Sequence, residues 1–430
     1  MSALAVAPFL TYLLVIAVLP LFLARFWDDN RNKLAVALVA AVPVAIYLLA
    51  SSPGGAGVLA DTTCDYLGFM TLLGALFVIT GGIHLRGELA GTPAVNTGLL
   101  AIGAVLASAI GTTGASALLI RPLLRANATR RHRRHIVVFF IFLVANGGGL
   151  LTPLGDPPLF LGFLRGVPFT WTLHLAGPWA MVSAALLAIF VLVDRARYRL
   201  DAPAPRRDGR EPLRIEGGWN LVWLVGVIAA VFVLGAQGRR SSAMPVLQIA
   251  AMVGLAALSL ATTPRRIRDA NHFTWAPILE VAAVFIGIFV TMVPALAFLQ
   301  DRGASLGITQ PWQFFWASGA LSSVLDNAPT YLTFASLATG VVNTGAGGAQ
   351  LSIHDLGALA AHPGGHQLLA AVSCGSVFMG AMTYIGNGPN FMVKAIAEQH
   401  HVRMPSFFGY LAWSFAILLP VLAAVALVVF

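Results

Sequence analysis

"NGGGLLTPLGDPPLF" (residues 146–160) stands in the first half of the chain and "TYIGNGPNF" (383–391) near the end of the second. Both carry Thr-x-x-Gly-(Asp/Asn)-x-Pro-x-Phe, and both interrupt strongly apolar sequence with residues that break helices. Proline lacks an amide donor, so it stops the regular hydrogen-bond ladder and frees carbonyls nearby. A chain that breaks its helices twice at matching places, and puts an acid at one of them, is building something at the breaks.

The surroundings are apolar throughout. Of 430 residues, 58% are hydrophobic and 10% charged, with mean hydropathy +0.82. A soluble chain of this length would need more charge to cover its surface. Apolar runs recur at about 3–25, 34–51, 66–84, 136–151, 171–193, 219–235, 244–261, 277–299, 367–381 and 406–428. The first run lacks a basic segment before it and is long for a leader, so it is read as a retained span. The expected fold is therefore an all-α polytopic membrane protein of about ten crossings. The net charge of +9 comes from arginines in short loops, which report orientation and do not call for a nucleic-acid partner. Cys64 and Cys374 form no redox or metal motif, and no phosphate-binding loop, dinucleotide signature or zinc-binding histidine pair is present, so no cofactor is expected.

Two further segments, 93–123 and 311–340, each read as an apolar arm, a polar or Gly/Pro break and a second arm. Such segments suggest re-entrant hairpins, tolerated at membrane depth only where protein or a water-filled cavity covers the backbone. The loop 121–135 holds six Arg and no acid, 194–218 holds seven Arg among five acids, and 264–269 holds three. Placing all three in the cytoplasm puts both termini outside; Arg239 and Arg240 dissent. His84, His132, His135, His400 and His401 then fall near span ends, where solvation is expected.

Divided at 196–218, the halves 1–195 and 219–430 each read span, span, span, hairpin, broken helix (about 136–165 and 367–400), span. Five crossings is an odd number, so the halves form two inverted-topology repeats with discontinuous helices, a construction used by secondary transporters. Thr152, Gly155, Pro158 and Phe160 match Thr383, Gly386, Pro389 and Phe391, and Leu106 and Ser108 match Leu321 and Ser323.

An ionised carboxylate at membrane depth costs roughly 2.5–3.5 kcal/mol, so one that stays there pairs, protonates or binds a cation. Asp156 and Asp326 stand at such breaks, and Glu280 near the start of a span is either interfacial or a relay. Around the two acids, Asn327, Thr152, Thr330, Asn387, Thr383, Thr112 and Asn146 supply amide and hydroxyl groups for a small ion. Asp156 and Asp326 are the candidate sodium ligands, with helix capping as their plainer role. No nucleophile–base pair accompanies the breaks, so the chain is read as a transporter and not an enzyme.

On these motifs the chain resembles the ion transporter superfamily, most closely sodium/proton antiporters of the NhaD type and the related citrate-transporter branch. The resemblance implies a scaffold part and a mobile transport part, a homodimer, and elevator-like alternating access in an inner membrane, with sodium or protons as coupling ions. The family's carboxylate carriers show Ser-Asn-Thr at the hairpin tips. Here the tips read "GTTGAS" and "LDNAPT", which favours sodium/proton antiport, with cation-coupled uptake of citrate or another organic anion as the alternative.

Overall fold

The computed structural model describes residues 6–51, 54–87, 89–201, 214–237, 243–345 and 350–430. Most of the 196–218 linker, and Arg239 and Arg240, lie outside them. The protein is an all-α polytopic membrane protein. Among the described residues eight helices are long and apolar enough to cross a bilayer, and Ala7–Pro20 and Trp219–Gly235 are shorter apolar helices. The difference from ten lies at particular segments. Pro363–Met379 is one turn of a broken helix short of a full span, whereas Pro93–Ile110, expected as a hairpin arm, is long enough to cross.

Both two-armed segments and both broken helices form where the sequence interrupts them. The first two-armed segment is Pro93–Ile110 followed by Thr112–Ala126, joined at Gly111 with φ 79°, a conformation that glycine adopts without strain. The second is Pro311–Ser322 followed by Asn327–Thr344. The first broken helix is Arg134–Leu143, a 3-10 turn at Gly147–Leu151, then Pro157–Leu164. The second is Pro363–Met379, a 3-10 turn at Gly380–Met382, then Gly388–Gln399. Every second arm but one has a proline within its first three residues, where the missing donor costs nothing. Only Thr112–Ala126 starts without one, on glycine.

Burial sorts the helices into centre and wall. The span Arg134–Leu151 is 89% buried, against 17% for Met244–Thr262. Exposed Leu, Val and Phe side chains cover the outer helices, as a lipid-facing wall requires. The wall is cross-packed between halves: Asn30–Ser51 lies on Ala276–Arg302, and Ala243–Thr262 lies on Gly55–Thr80. In the centre, Thr112–Ala126 packs on Gly388–Gln399, while Asn327–Thr344 packs on Pro157–Leu164. Each element meets a partner from the other half, and the partnerships come in exchanged pairs.

The third span starts at Gly55, eleven residues before the expected 66, because Asp61, Thr62, Thr63 and Asp65 depress the local hydropathy without stopping the helix. Glu280 is half exposed. Lys33 Nζ contacts its Oε1 at 2.7 Å, tying two wall helices together near one face. A short antiparallel pairing of His84–Arg86 with Arg214–Glu216, not foreseen from sequence, joins two loops on the basic face.

The basic face also holds a polar network that ties the first two-armed segment to Ala176–Tyr198. Asp194 is fully buried, ion-pairs with Arg130 Nη2 at 2.6 Å and hydrogen-bonds with His135 Nε2 at 2.8 Å and Asn96 Nδ2 at 3.0 Å. His135, expected in solvent, is thus buried against a carboxylate. Beyond the span, Asp201 accepts from the His132 backbone and ring and from Arg130 Nε at 3.1 Å. Burial alone would raise the Asp201 carboxyl; the bonds from His132 and Arg130 outweigh it and hold the group below its ordinary range. Its stabilisation is therefore complete above that range and lost as pH falls through the depressed folded value. Asp201→Asn should lower the melting temperature in detergent by about 2–4 °C at pH 7. In melts run from pH 7 to pH 3 the gap from wild type should close below about pH 4.

Candidate functional site

All four interruptions meet around Asp156. Its residue is 1% exposed, and three elements besides its own donate to it. Thr112 Oγ1, from the tip of the first two-armed segment, reaches Oδ1 at 3.0 Å. Asn387 Nδ2, from the second broken helix, reaches the same oxygen at 3.2 Å. Asn327 Nδ2, from the second two-armed segment, reaches Oδ2 at 2.5 Å. An ionised carboxylate only accepts, which sets the Asn327 amide with its nitrogen toward Asp156 and its oxygen away. That oxygen, Asn327 Oδ1, is buried and finds no donor among the described residues.

Asp156 occupies the N-cap position of Pro157–Leu164 yet makes no side-chain cap bond. Its carboxylate is turned to the other segments. Asp326 behaves differently. It is half-buried and caps Asn327–Thr344 by accepting from Ala328 N at 3.0 Å, so the plainer role expected of these acids is filled here. Because Asn327 follows it in the chain, Asp326 still lies close enough for the two carboxylates to repel one another.

Threonine and serine contacts behind the carboxylate hold the breaks in register, and they repeat between the halves. Thr152 Oγ1 donates to Ser108 O and accepts from Leu154 N; Thr383 Oγ1 donates to Ser323 O at 2.5 Å and accepts from Ile385 N at 3.2 Å. Ser108 Oγ donates to Gly148 O at 2.5 Å, as Ser323 Oγ does to Met379 O at 3.2 Å. These threonines therefore clamp each two-armed segment to its own broken helix, one step removed from Asp156. Thr330 donates to the Asp326 carbonyl within its own helix at 2.9 Å. Asn146 accepts from Asn387 Nδ2 at 3.2 Å and donates to Asn390 Oδ1 at 2.6 Å, linking the two broken helices.

The residues brought together are thus Asp156, Thr112, Asn327, Asn387 and Asn146, with Asp326 beside them; Thr152, Thr383 and Thr330 support from behind. Sequence reading missed Asn390, whose Nδ2 donates to Gly380 O and Thr383 O and so ties the second break closed. Its place inside "GNGPNF" was the available signal. Ser108 and Ser323 were noticed only as repeat matches.

A cavity of about 80 Å³ reaches Asp156. It is walled by Phe69, Leu73, Leu76 and Phe77 on one side and by Thr112, Thr113 and Pro153–Pro157 on the other, with Pro277 and Ile278 at its end. Phe77 lies in the last turn of Gly55–Thr80 and Pro277 in the first turn of Ala276–Arg302, so the cavity extends from Asp156 toward the basic face.

Polar groups converging at four helix breaks in the middle of a polytopic bundle define a membrane transporter. The chain belongs to the family described as "Putative citrate transport", which matches residues 1–430. It is also similar to "Uncharacterized transporter slr0753" of Synechocystis sp., with 26% identity over 316 residues, 68% of this chain and 67% of that protein.

Proposed function

We propose that this transporter exchanges sodium for protons by alternating access, with the exchange centred on Asp156. Local charge supports this reading. Each of the four breaks brings one helix C-terminus and one N-terminus to the centre, and their partial charges of about −0.5 and +0.5 cancel to first order. What remains are the carboxylates of Asp156 and Asp326. No Lys or Arg contacts them among the described residues, so a bound cation or a proton is the available balance.

The observation that carries the reading is the unpartnered Asn327 Oδ1 next to the Asp156 carboxylate. A buried carbonyl without a donor costs about 1–3 kcal/mol, and an incoming cation would supply the missing partner. The oxygens at hand are carboxylate, amide, hydroxyl and backbone carbonyl, a donor set that suits a hard ion such as Na⁺. In the cycle, a proton arriving at Asp156 would remove the charge that holds the ion, and Na⁺ arriving would displace the proton. Sodium and proton then compete for one group, which is the minimal condition for exchange. The cavity of about 80 Å³ accommodates a few water molecules or an ion, well below the roughly 300 Å³ at which small-molecule sites begin.

The two exchanged packing pairs and the repeated Thr–Ser clamps support a pair of inverted repeats, 1–195 and 219–430, in which the two-armed segments are re-entrant. By resemblance we further propose a homodimer in a bacterial inner membrane.

A second reading, cation-coupled uptake of citrate or another organic anion, draws support from the family description and from the four half-helix N-termini at Thr112, Pro157, Asn327 and Gly388, which suit an anion. One pair of assays separates them. Everted vesicles should show proton movement on addition of Na⁺ or Li⁺, and proteoliposomes should not accumulate labelled citrate or succinate. Gradient-dependent anion accumulation without cation-driven proton movement would overturn the first reading in favour of the second.

A further inference from the structure

On the side away from the basic loops, Arg165 ends the helix Pro157–Leu164 and is 6% exposed. Its Nε lies 3.6 Å from Asp65 Oδ2 on the wall helix Gly55–Thr80, and its Nη1 is buried with no hydrogen-bond partner among the described residues. Asp61 stands one turn from Asp65 on the same helix, four residues nearer the N-terminus and exposed. All three groups also act electrostatically on His354 from the neighbouring loop. Below Asp65, the same face of the wall helix continues as Gly68, Phe69, Leu72, Leu73 and Leu76, with Gly68 against the Leu164 side chain and the rest bordering the cavity. Among the described residues, the Asp65–Arg165 pair is the polar tie between these two helices. The remainder of that face is smooth and apolar.

We propose that Arg165 is a positioning residue that registers the moving part of the transporter against two stops one helical turn apart, Asp65 in the state described here and Asp61 in the alternate state. Four residues of helix rise about 6 Å. Moving Arg165 from Asp65 to Asp61 would carry Asp156, on the same short helix, by a similar distance away from the basic face and off the cavity that now reaches it. The guanidinium has five donors, so Nη1 can engage a second carboxylate before the first is released. The apolar stretch below offers no competing polar hold, which leaves the acids to define where movement stops. The carbonyl of Arg165 accepts from Leu356 N at 2.6 Å, so the segment Leu356–Ala361 would travel with it.

This inference rests on the alternating-access reading above, but its test uses no transported ion. Leu73→Cys, in a chain with Cys64 replaced by Ser, places a thiol on the cavity wall for a membrane-impermeant maleimide added from the basic side. Asp65→Asn removes the present stop and should slow labelling by about threefold or more; Asp61→Asn removes the other and should speed it or leave it maximal. Opposed effects from two isosteric changes would not come from loss of packing. Cross-linking Asp65→Cys to Arg165→Cys should leave labelling intact, whereas cross-linking Asp61→Cys to Arg165→Cys should suppress it about tenfold, with reduction restoring it. Equal effects of the two Asn variants, or a 61–165 cross-link that fails to form or leaves labelling unchanged, would overturn the proposal. A failed sodium or citrate assay alongside these labelling results would reject the ion assignment and leave Arg165 in its role.

Discussion

Asp156→Asn should abolish coupled exchange, lowering it at least a hundredfold, in a protein that still folds. A unit charge about 4 Å from a bound ion contributes about 4 kcal/mol at an effective dielectric near 20, which corresponds to roughly a thousandfold in affinity. Asn keeps the size of Asp, so the packing around Pro157 and Thr112 survives. It cannot keep the bonding. Asp156 now accepts from Thr112, Asn327 and Asn387, whereas an amide offers one accepting atom and turns an N–H₂ toward at least one donor. That mismatch costs about 1–3 kcal/mol of stability, tolerable for a chain this size. Asp326→Asn should be milder, because an Asn also caps a helix and Asp326 makes no direct bond to Asp156. Everted-vesicle assays on the two variants, with folding checked by size-exclusion profile, measure the difference. Equal loss in both would mean that the acids act as one unit.

The second large effect is on folding. Gly155→Ala should reduce the yield of monodisperse protein severely, with a loss of at least about 3 kcal/mol. A Cβ at Gly155 would sit 2.0 Å from the carbonyl oxygen of Gly149, and that neighbour is backbone, so no side chain can turn aside. The segment cannot retreat either. Gly155 O accepts from Thr112 N at 2.8 Å and Gly155 N donates to Thr152 O at 3.0 Å. Gly386→Ala, at the matching position, meets Gly380 O and Ser322 O at 2.6 Å and should also fail. Gly388→Ala, two residues on, has nothing within 4 Å and should be tolerated, which makes it the control. Size-exclusion profiles of the three variants in detergent report the outcome.

Much of this architecture was legible because the breaks are chemical. Gly111 takes φ 79°, and Pro158 and Pro389, which lack an amide donor, cannot extend a helix that precedes them; the structure interrupts the helices at those places. The constant offset from Thr152 to Thr383 also located the matching clamps. What the sequence hid was three-dimensional. Asp156 and Asp326 look equivalent in one dimension, yet one faces three donors from other segments and the other caps its own helix. Asp61 and Asp65 obscured the start of Gly55–Thr80 because hydropathy averages over a window, whereas a helix continues through two acids that share one face. The strand pairing at His84–Arg86 is too short for any alternation to announce it.

Ion binding at the Asp156 carboxylate can be measured directly. Saturable binding of ²²Na⁺ to the purified wild-type protein, followed across pH and compared with Asp156→Asn, tests it without any need for flux. Wild type should bind the ion at alkaline pH and release it on acidification, and the variant should bind none. Sodium binding that persists undiminished in Asp156→Asn, or that ignores pH in the wild type, would contradict it.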